Sequence, residues 1–257
     1  MQRRIIRFLN SIVSAVVAVV LVLMLLYSAY ALWDNQHVYL LADSVQNDLL
    51  AFKPQEEEEA APSFEELQAI NPDVNAWLTM EGTHIDFPVV QGSNNFEYLS
   101  LDVYGNFSLA GSIYLDSRNS RTYTDAYSLL HGHHLDQGRM FGDLDLYKQR
   151  DFFDAHTTGT LLMPEGRYAL DVIAYLLVDA TDSVIFAPQR WTQDAADVLD
   201  FAKEKAVFIH EDAMQRALGV PSDEVRLLCL ATCSTEYTDA RTIILCLMTR
   251  AEQEVSP

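Results

Sequence analysis

Residues 225–241 read Val-Arg-Leu-Leu-Cys-Leu-Ala-Thr-Cys-Ser-Thr-Glu-Tyr-Thr-Asp-Ala-Arg, an apolar run that stops at Cys233 and gives way to a polar loop. The apolar run is typical of a buried strand, and loops after strands are where rigid scaffolds present reactive groups. The thiolate of cysteine is a strong nucleophile. Arg241 opens the next strand, so a hairpin would bring its permanently charged guanidinium to the same end, where it could stabilise an oxyanion.

A second strand end carries a histidine cluster. The apolar residues 127–130 lead into His131-Gly132-His133-His134, followed by the polar turn 136–139. A thiol with an ordinary pKa near 8.5 needs a base to attack a carbonyl at neutral pH, and histidine is the usual helper. A solvated turn and a zinc site are the alternatives. The spacing of Cys229 and Cys233 departs from a tight C-x-x-C pair and no second pair exists, so we expect no metal and no cofactor.

Short strands separated by turn residues fill most of the chain after residue 75, which predicts a β-sandwich or β-barrel. The predicted strands are Ala76 to Met80, His84 to Gln91, Gly111 to Asp116, Ser128 to His131, Gly159 to Met163, Tyr168 to Val178, Val225 to Thr232 and Thr242 to Thr249. One helix, capped by Thr192, is predicted in the long interruption before the cysteine strand.

The N-terminal part predicts a membrane anchor. The run from Ile12 to Trp33 is uncharged and long enough to cross a bilayer, and arginines precede it at positions 3, 4 and 7. The positive-inside rule then leaves residues 1–11 in the cytoplasm and the rest of the chain outside, in a single pass. A cleaved signal peptide is the alternative. Residues 34–62 are expected to form a helical stalk, with a helix from Gln36 to Phe52, and an acidic linker. Ser63 is expected to cap a helix that begins the domain of residues 63–250, with 251–257 as a tail.

Composition limits the possible functions. The chain has 257 residues, is 49% hydrophobic and carries a formal charge of -20. This size supports one substantial domain plus an appendage, and the charge argues against nucleic acid as a partner. The cysteine count is three, which leaves an unpaired thiol in an exported protein. Cys246, inside an apolar run, is expected to be a buried structural residue.

Two motifs together resemble the sortases, and class B in particular. Leu130-His131-Gly132-His133-His134 running into residues 138–144 is similar to the family's histidine segment, and Leu230-Ala231-Thr232-Cys233 with Arg241 is similar to its cysteine and arginine segment. The resemblance covers most of residues 71–250. It is supported by Trp77-Leu78, by residues 82–91, by Tyr98-Leu99 and by residues 111–116.

The resemblance implies a mainly β fold, a closed eight-stranded barrel with N-terminal helices and an inserted helix. It implies a membrane-anchored cysteine transpeptidase of Gram-positive bacteria that cleaves a C-terminal sorting signal of exported proteins and passes the acyl group to an amine. The amine belongs to a peptidoglycan precursor or a pilin lysine, and the N-terminal helix contacts membrane lipid. By the motif register, the catalytic residues are His133, Cys233 and Arg241. Thr232, Ser234 and His134 are the expected substrate contacts.

The chain departs from the family pattern at two positions. His131 stands where the family usually has tyrosine, so it rivals His133 as proton carrier, and Ala231 stands where a hydroxyl is common. Two other functions compete with catalysis: an exported surface or pilus protein, and an inactive binding domain. The first would be expected to carry a C-terminal sorting signal, which residues 250–257 do not resemble.

Overall fold

A computed structural model describes residues 2–54, 64–221, 223–233 and 239–251, and for Gln2, Asn35 and Cys233 it describes the backbone only. The helices are α1 (Gln2–Leu50), α2 (Phe64–Ile70), α3 (Arg150–Ala155), α4 (Ala196–Lys205) and α5 (Glu211–Gly219). The strands are β1 (Val74–Met80), β2 (Asp86–Val90), β3 (Ile113–Leu115), β4 (Tyr127–His131), β5 (His134–Leu135), β6 (Arg139–Met140), β7 (Thr158–Met163), β8 (Gly166–Asp179), β9 (Phe208–Ile209), β10 (Leu227–Cys233) and β11 (Ala240–Arg250). Short 3-10 helices cover Gly142–Lys148 and Pro188–Arg190.

The main sheet is a closed, mixed barrel. Its order is β11-β10-β4-β3-β2-β1-β7-β8, and β8 pairs again with β11 to close the ring, while the short β9 adds to β8. Closure removes free sheet edges, which would otherwise expose unpaired backbone groups. Each of the eight strands predicted from sequence is present, with ends shifted by up to two residues, and the expectation of an eight-stranded barrel is confirmed.

Alternate residues of the barrel strands face two apolar cores. Leu228 and Leu230 of β10 pack with the apolar side chains that fill the barrel. Leu227 and Cys229, on the other face of the same strand, pack against the helices inserted between β8 and β10. This alternation follows from the two-residue period of a strand, so a sheet covered on both faces reads as an unbroken apolar run.

The insertion before β10 differs from the sequence prediction in two ways. Thr192 does not cap the predicted helix, because α4 has Ala195 at its N-cap, and the Thr192 carbonyl instead accepts a hydrogen bond from the Ala126 amide. A second helix, α5, follows β9 and was not anticipated. It buries Ala213, Met214 and Ala217 at helical spacing, in a segment whose charged residues hide that period.

The N-terminal helix is continuous where the sequence suggested a span and a separate stalk helix. Residues 1–41 form one compact unit and residues 42–257 another. By length and composition, the helix is long and apolar enough to cross a membrane. Most of the acidic linker, and Ser63 with its predicted cap, lie outside the described residues.

The second unit begins with the last turns of α1, which pack on the barrel. Leu49 is 1% exposed in an apolar cluster that includes Leu67 and Trp77. Asp43 forms a bidentate ion pair with Arg139 of β6, at 2.5 Å (Nε to Oδ1) and 2.6 Å (Nη2 to Oδ2). These contacts make residues 42–50 part of the barrel's own packing.

Candidate active site

Three strand ends meet at one rim of the barrel because of the way the strands pair. β4 and β10 run parallel, so His131 at the end of β4 lies beside Ala231 near the end of β10. β10 and β11 run antiparallel, so the backbone of Cys233 is directly opposite that of Arg241. Residues about one hundred positions apart in the sequence are therefore neighbours in space.

A cleft of about 220 Å³ opens at this rim. It is lined by Leu99, Tyr114, His131, Gly132, His133, Phe186, Ala231, Thr232 and Arg241. The structure thus brings His133 and Arg241 to the same cleft as Thr232, the residue before Cys233. The side chain of Cys233 and all of Ser234 lie outside the described residues. Leu99, Tyr114 and Phe186 were not predicted as cleft residues, since an apolar residue in a loop, such as Leu99 or Phe186, or in a short strand, such as Tyr114, gives no signal of a cleft in a single sequence.

His133 is oriented by main-chain contacts. Its Nε2 lies 2.8 Å from the carbonyl oxygen of Leu99, and the Phe141 amide donates to the His133 carbonyl. Because a carbonyl can only accept, the ring donates from Nε2, which leaves Nδ1 as the nitrogen that can exchange a proton. The Leu99 carbonyl lies beside Gly111, where φ is +60° and an added Cβ would come within 2.8 Å of that oxygen.

Arg241 is half-buried and lines the cleft. Its Nη1 donates to the carbonyl of Ala240 at 2.9 Å. Hydrogen bonds from Thr181, and to a smaller extent the charge of Arg241, lower the pKa of the nearby Asp179 carboxyl. A guanidinium offers five N–H donors, so one main-chain bond leaves it able to bind a substrate carbonyl.

Thr232 and His134 differ in their hydrogen bonding and in whether they line the cleft. Thr232 is 3% exposed, and its Oγ1 has no hydrogen-bond partner within the described part of the chain. His134 donates from Nε2 to Asp145 at 3.0 Å, and this hydrogen bond raises the pKa of the histidine. His134 is absent from the residues that line the cleft. Its role as a substrate contact, like those of Thr232 and Ser234, stays a prediction.

His131 lines the cleft and is bonded to a buried carboxylate. Its Nε2 lies 3.0 Å from Oδ2 of Asp116, which is 0% exposed, and its ring stacks on Tyr114 with centroids 5.1 Å apart. Arg118 forms a bidentate ion pair with the same carboxylate, with Nε 2.8 Å from Oδ1 and Nη2 2.7 Å from Oδ2. Burial alone would raise the pKa of Asp116, but the hydrogen bonds from Arg118 and His131 outweigh it and hold the pKa well below its usual range.

The other two cysteines are placed as structural residues. Cys229 and Cys246 are fully buried, each in one of the two cores. Burial raises the pKa of the Cys229 thiol to about 12 and that of Cys246 still further. Neither thiol is a nucleophile at neutral pH, which agrees with the interpretation of Cys246 from sequence. Among the residues that the structure describes, no three His, Cys, Asp or Glu side chains form a group that could hold a metal ion.

Proteins of known function resemble the chain over most of its length, although no protein-family profile matches it. Sortase B of Staphylococcus aureus is 29% identical over 197 residues, 77% of this chain and 78% of the relative. Sortase B of Listeria monocytogenes is 30% identical over 190 residues, 72% of this chain and 74% of the relative.

Solved structures give the same result. A Streptococcus pyogenes class B sortase involved in pilus biogenesis is 36% identical, with a TM-score of 0.64 over 73% of this chain and 98% of the relative. A Staphylococcus aureus sortase B–substrate complex is 28% identical, with a TM-score of 0.64 over 74% of this chain and 85% of the relative.

Proposed function

The chain belongs to the class B sortases, a family of cysteine transpeptidases, and we propose that it cleaves a C-terminal sorting signal of exported proteins through a thioester on Cys233. The acyl group then passes to an amine. The observation that carries this proposal is the single cleft lined by His133, Arg241 and Thr232, with the backbone of Cys233 paired to that of Arg241. A peptide in this cleft would lie within reach of the cysteine.

In the first half-reaction, the sulfur of Cys233 attacks the carbonyl carbon of the scissile peptide bond. Arg241 donates hydrogen bonds to the oxyanion that develops on the carbonyl oxygen. His133 takes the thiol proton of Cys233 on Nδ1 as the sulfur attacks, and it delivers that proton from Nδ1 to the departing amine as the C–N bond breaks. The result is a thioester on Cys233 and a released peptide with a free amino terminus.

In the second half-reaction, an amine attacks the thioester carbonyl, its nitrogen gives up a proton to a base of the cleft, and the thiolate of Cys233 departs. We propose a peptidoglycan precursor or a pilin lysine as the source of this amine. A substrate complex is known for the Staphylococcus aureus relative, and the Streptococcus pyogenes relative is involved in pilus biogenesis. The substrate complex supports a sorting-signal peptide as the substrate here, and the role in pilus biogenesis supports pilin lysine as one of the two candidate acceptors.

The proposed location is the outer face of the cell membrane, with residues 1–11 in the cytoplasm and the barrel outside. The apolar helix and the arginines before it support a retained single-pass anchor in contact with lipid. Exported proteins and cell-wall precursors meet at that face, so location and chemistry agree.

Turnover by single-residue variants tests the proposal. The full chain in detergent is mixed with the best-cleaved peptide of a pentapeptide library, and both cleavage and transfer to triglycine are measured. We expect Cys233→Ala to abolish both activities, His133→Ala to lower them about 10²- to 10⁴-fold, and Arg241→Ala to lower them about 10²- to 10³-fold.

Two matched variants control for general damage to the barrel. Arg250→Ala removes an arginine at the far end of β11, and His84→Gln removes a histidine whose side chain is 77% exposed. Both should keep wild-type turnover. Full activity in the Cys233 variant would refute the proposal.

A further inference from the structure

The cleft contains two histidines in different electrostatic settings. His133 is bonded to a neutral main-chain carbonyl, whereas His131 is bonded to the carboxylate of Asp116. A carboxylate partner fixes the tautomer of a histidine and stabilises the imidazolium that forms when the ring accepts a proton. His131 therefore has the partner expected of a general base.

Asp116 is held so that it must act as an ionised acceptor. Besides His131 and the Arg118 side chain, the Arg118 amide donates to Oδ1 at 3.0 Å and Asn95 donates to Oδ2 at 2.8 Å. Arg118 also donates to the carbonyl of Phe186, a residue of the cleft wall. With every neighbour donating to Asp116, His131 must donate from Nε2, and its Nδ1 is the nitrogen left to accept a proton.

His131 lies beside the reacting end of β10. Its backbone pairs with that of Ala231, two residues before Cys233, and its side chain lines the cleft together with His133 and Arg241. Two residues of extended strand span about 6.6 Å. An amine that approaches a thioester on Cys233 from this side would pass the ring of His131. Among the residues that the structure describes, Asp116 bonds to the ring and to Arg118, and Arg241 lines the same cleft.

We infer that His131, held by Asp116, is a second catalytic residue and acts as the base for the incoming amine. This inference rests on the proposed function and assigns the second half-reaction to a different histidine. The amine nitrogen attacks the thioester carbonyl and forms the new C–N bond, and Nδ1 of His131 takes the proton that the nitrogen must lose. The C–S bond breaks, and the thiolate of Cys233 regains a proton from the His131 imidazolium through solvent.

The test separates the two half-reactions. The full chain in detergent is mixed with the best-cleaved library peptide, and intact mass spectrometry follows the formation of the acyl-enzyme and its loss to triglycine. His131→Gln keeps a donor for Asp116 but removes the base. The variant should form the acyl-enzyme within about threefold of the wild-type rate, and its loss to triglycine should slow about 10²-fold, so that the acyl-enzyme accumulates.

A second acceptor amine distinguishes the loss of a base at His131 from a structural defect caused by the substitution. Hydroxylamine has a less basic nitrogen than triglycine and gives up its proton to water more readily, so it should restore much of the lost rate. A purely structural defect would slow both acceptors by the same factor. Asp116→Asn, with its fold checked by thermal unfolding, should slow the transfer to triglycine and spare the formation of the acyl-enzyme.

His84→Gln is the matched control. Nδ1 of His84 lies 2.8 Å from Oδ2 of Asp143, and His84 does not line the cleft, so this variant should not affect either step. The inference is overturned if His131→Gln transfers to triglycine at the wild-type rate, or if formation and loss of the acyl-enzyme fall equally. A wild-type enzyme that forms no acyl-enzyme would instead refute the proposed function.

Discussion

The last turns of α1 offer a sharp test of how the barrel is stabilised, through the substitution Leu49→Ala. Leu49 is 1% exposed and packs in the cluster that contains Leu67 and Trp77, whereas the adjacent Leu50 is 37% exposed. Leu50→Ala is therefore a matched control in the same helical turn. It removes the same atoms from a side chain that is partly in solvent.

The size of the effect follows from burial. Replacing a buried leucine by alanine costs about 2–5 kcal/mol, depending on how far the site can collapse. Leu49 belongs to an outer helix and lines a small pocket of about 20 Å³, so the helix can shift inwards. We therefore expect the lower part of that range, about 2–3 kcal/mol. For a domain of this size, each kcal/mol lowers Tm by about 2–4 °C, which gives a loss of about 4–12 °C.

The assay is thermal unfolding of the full chain in detergent, followed by circular dichroism of the barrel. Leu50→Ala should stay within about 0.5 kcal/mol of wild type, as surface substitutions usually do. Equal Tm values for the Leu49 and Leu50 variants would mean that residues 42–50 do not pack on the barrel.

Three further results are expected. The raised pKa of His134 gives stability that is lost as pH rises above about 6.5, and the lowered pKa of Asp145 gives stability that is lost as pH falls below about 3.8. His134→Gln should therefore lower Tm more at about pH 5.5 than at about pH 9. Equal losses of Tm at the two pH values would contradict an ion pair between His134 and Asp145. Gly111→Ala should lower Tm and slow turnover, because its Cβ would crowd the carbonyl that orients His133; wild-type turnover would argue against that orientation. Native protein should label with a thiol reagent at Cys233 and at no other position, and a second labelled cysteine would contradict the burial of the other two.

Much of the barrel could be predicted because each strand is a short apolar run between turn residues. β10 and β11 are the plainest cases, since both of their faces are buried and nearly every residue is apolar. The two-residue strand β9 and the helix α5 could not be predicted in this way. β9 is too short to show a period, and the charges at Glu211, Asp212 and Arg216 obscure the buried stripe of α5.

The candidate site was predictable where chemistry is carried by unusual residue types at strand ends. His133 and Arg241 do line one cleft, and residue 233 does lie opposite residue 241. The partner of His131 was not predictable, because Asp116 follows a different strand, β3, and is one of many acidic residues in a chain with a formal charge of -20. Only the pairing of β3 with β4 brings the two together.

The most direct test of the central claim is to find where the acyl group is attached. The wild-type chain, quenched in the first turnover with the best-cleaved library peptide and then digested, should carry the acyl group on the fragment that contains Cys233, and Cys233→Ala should carry none. An acyl group on any other residue, or peptide transfer by the Cys233 variant, would contradict the account.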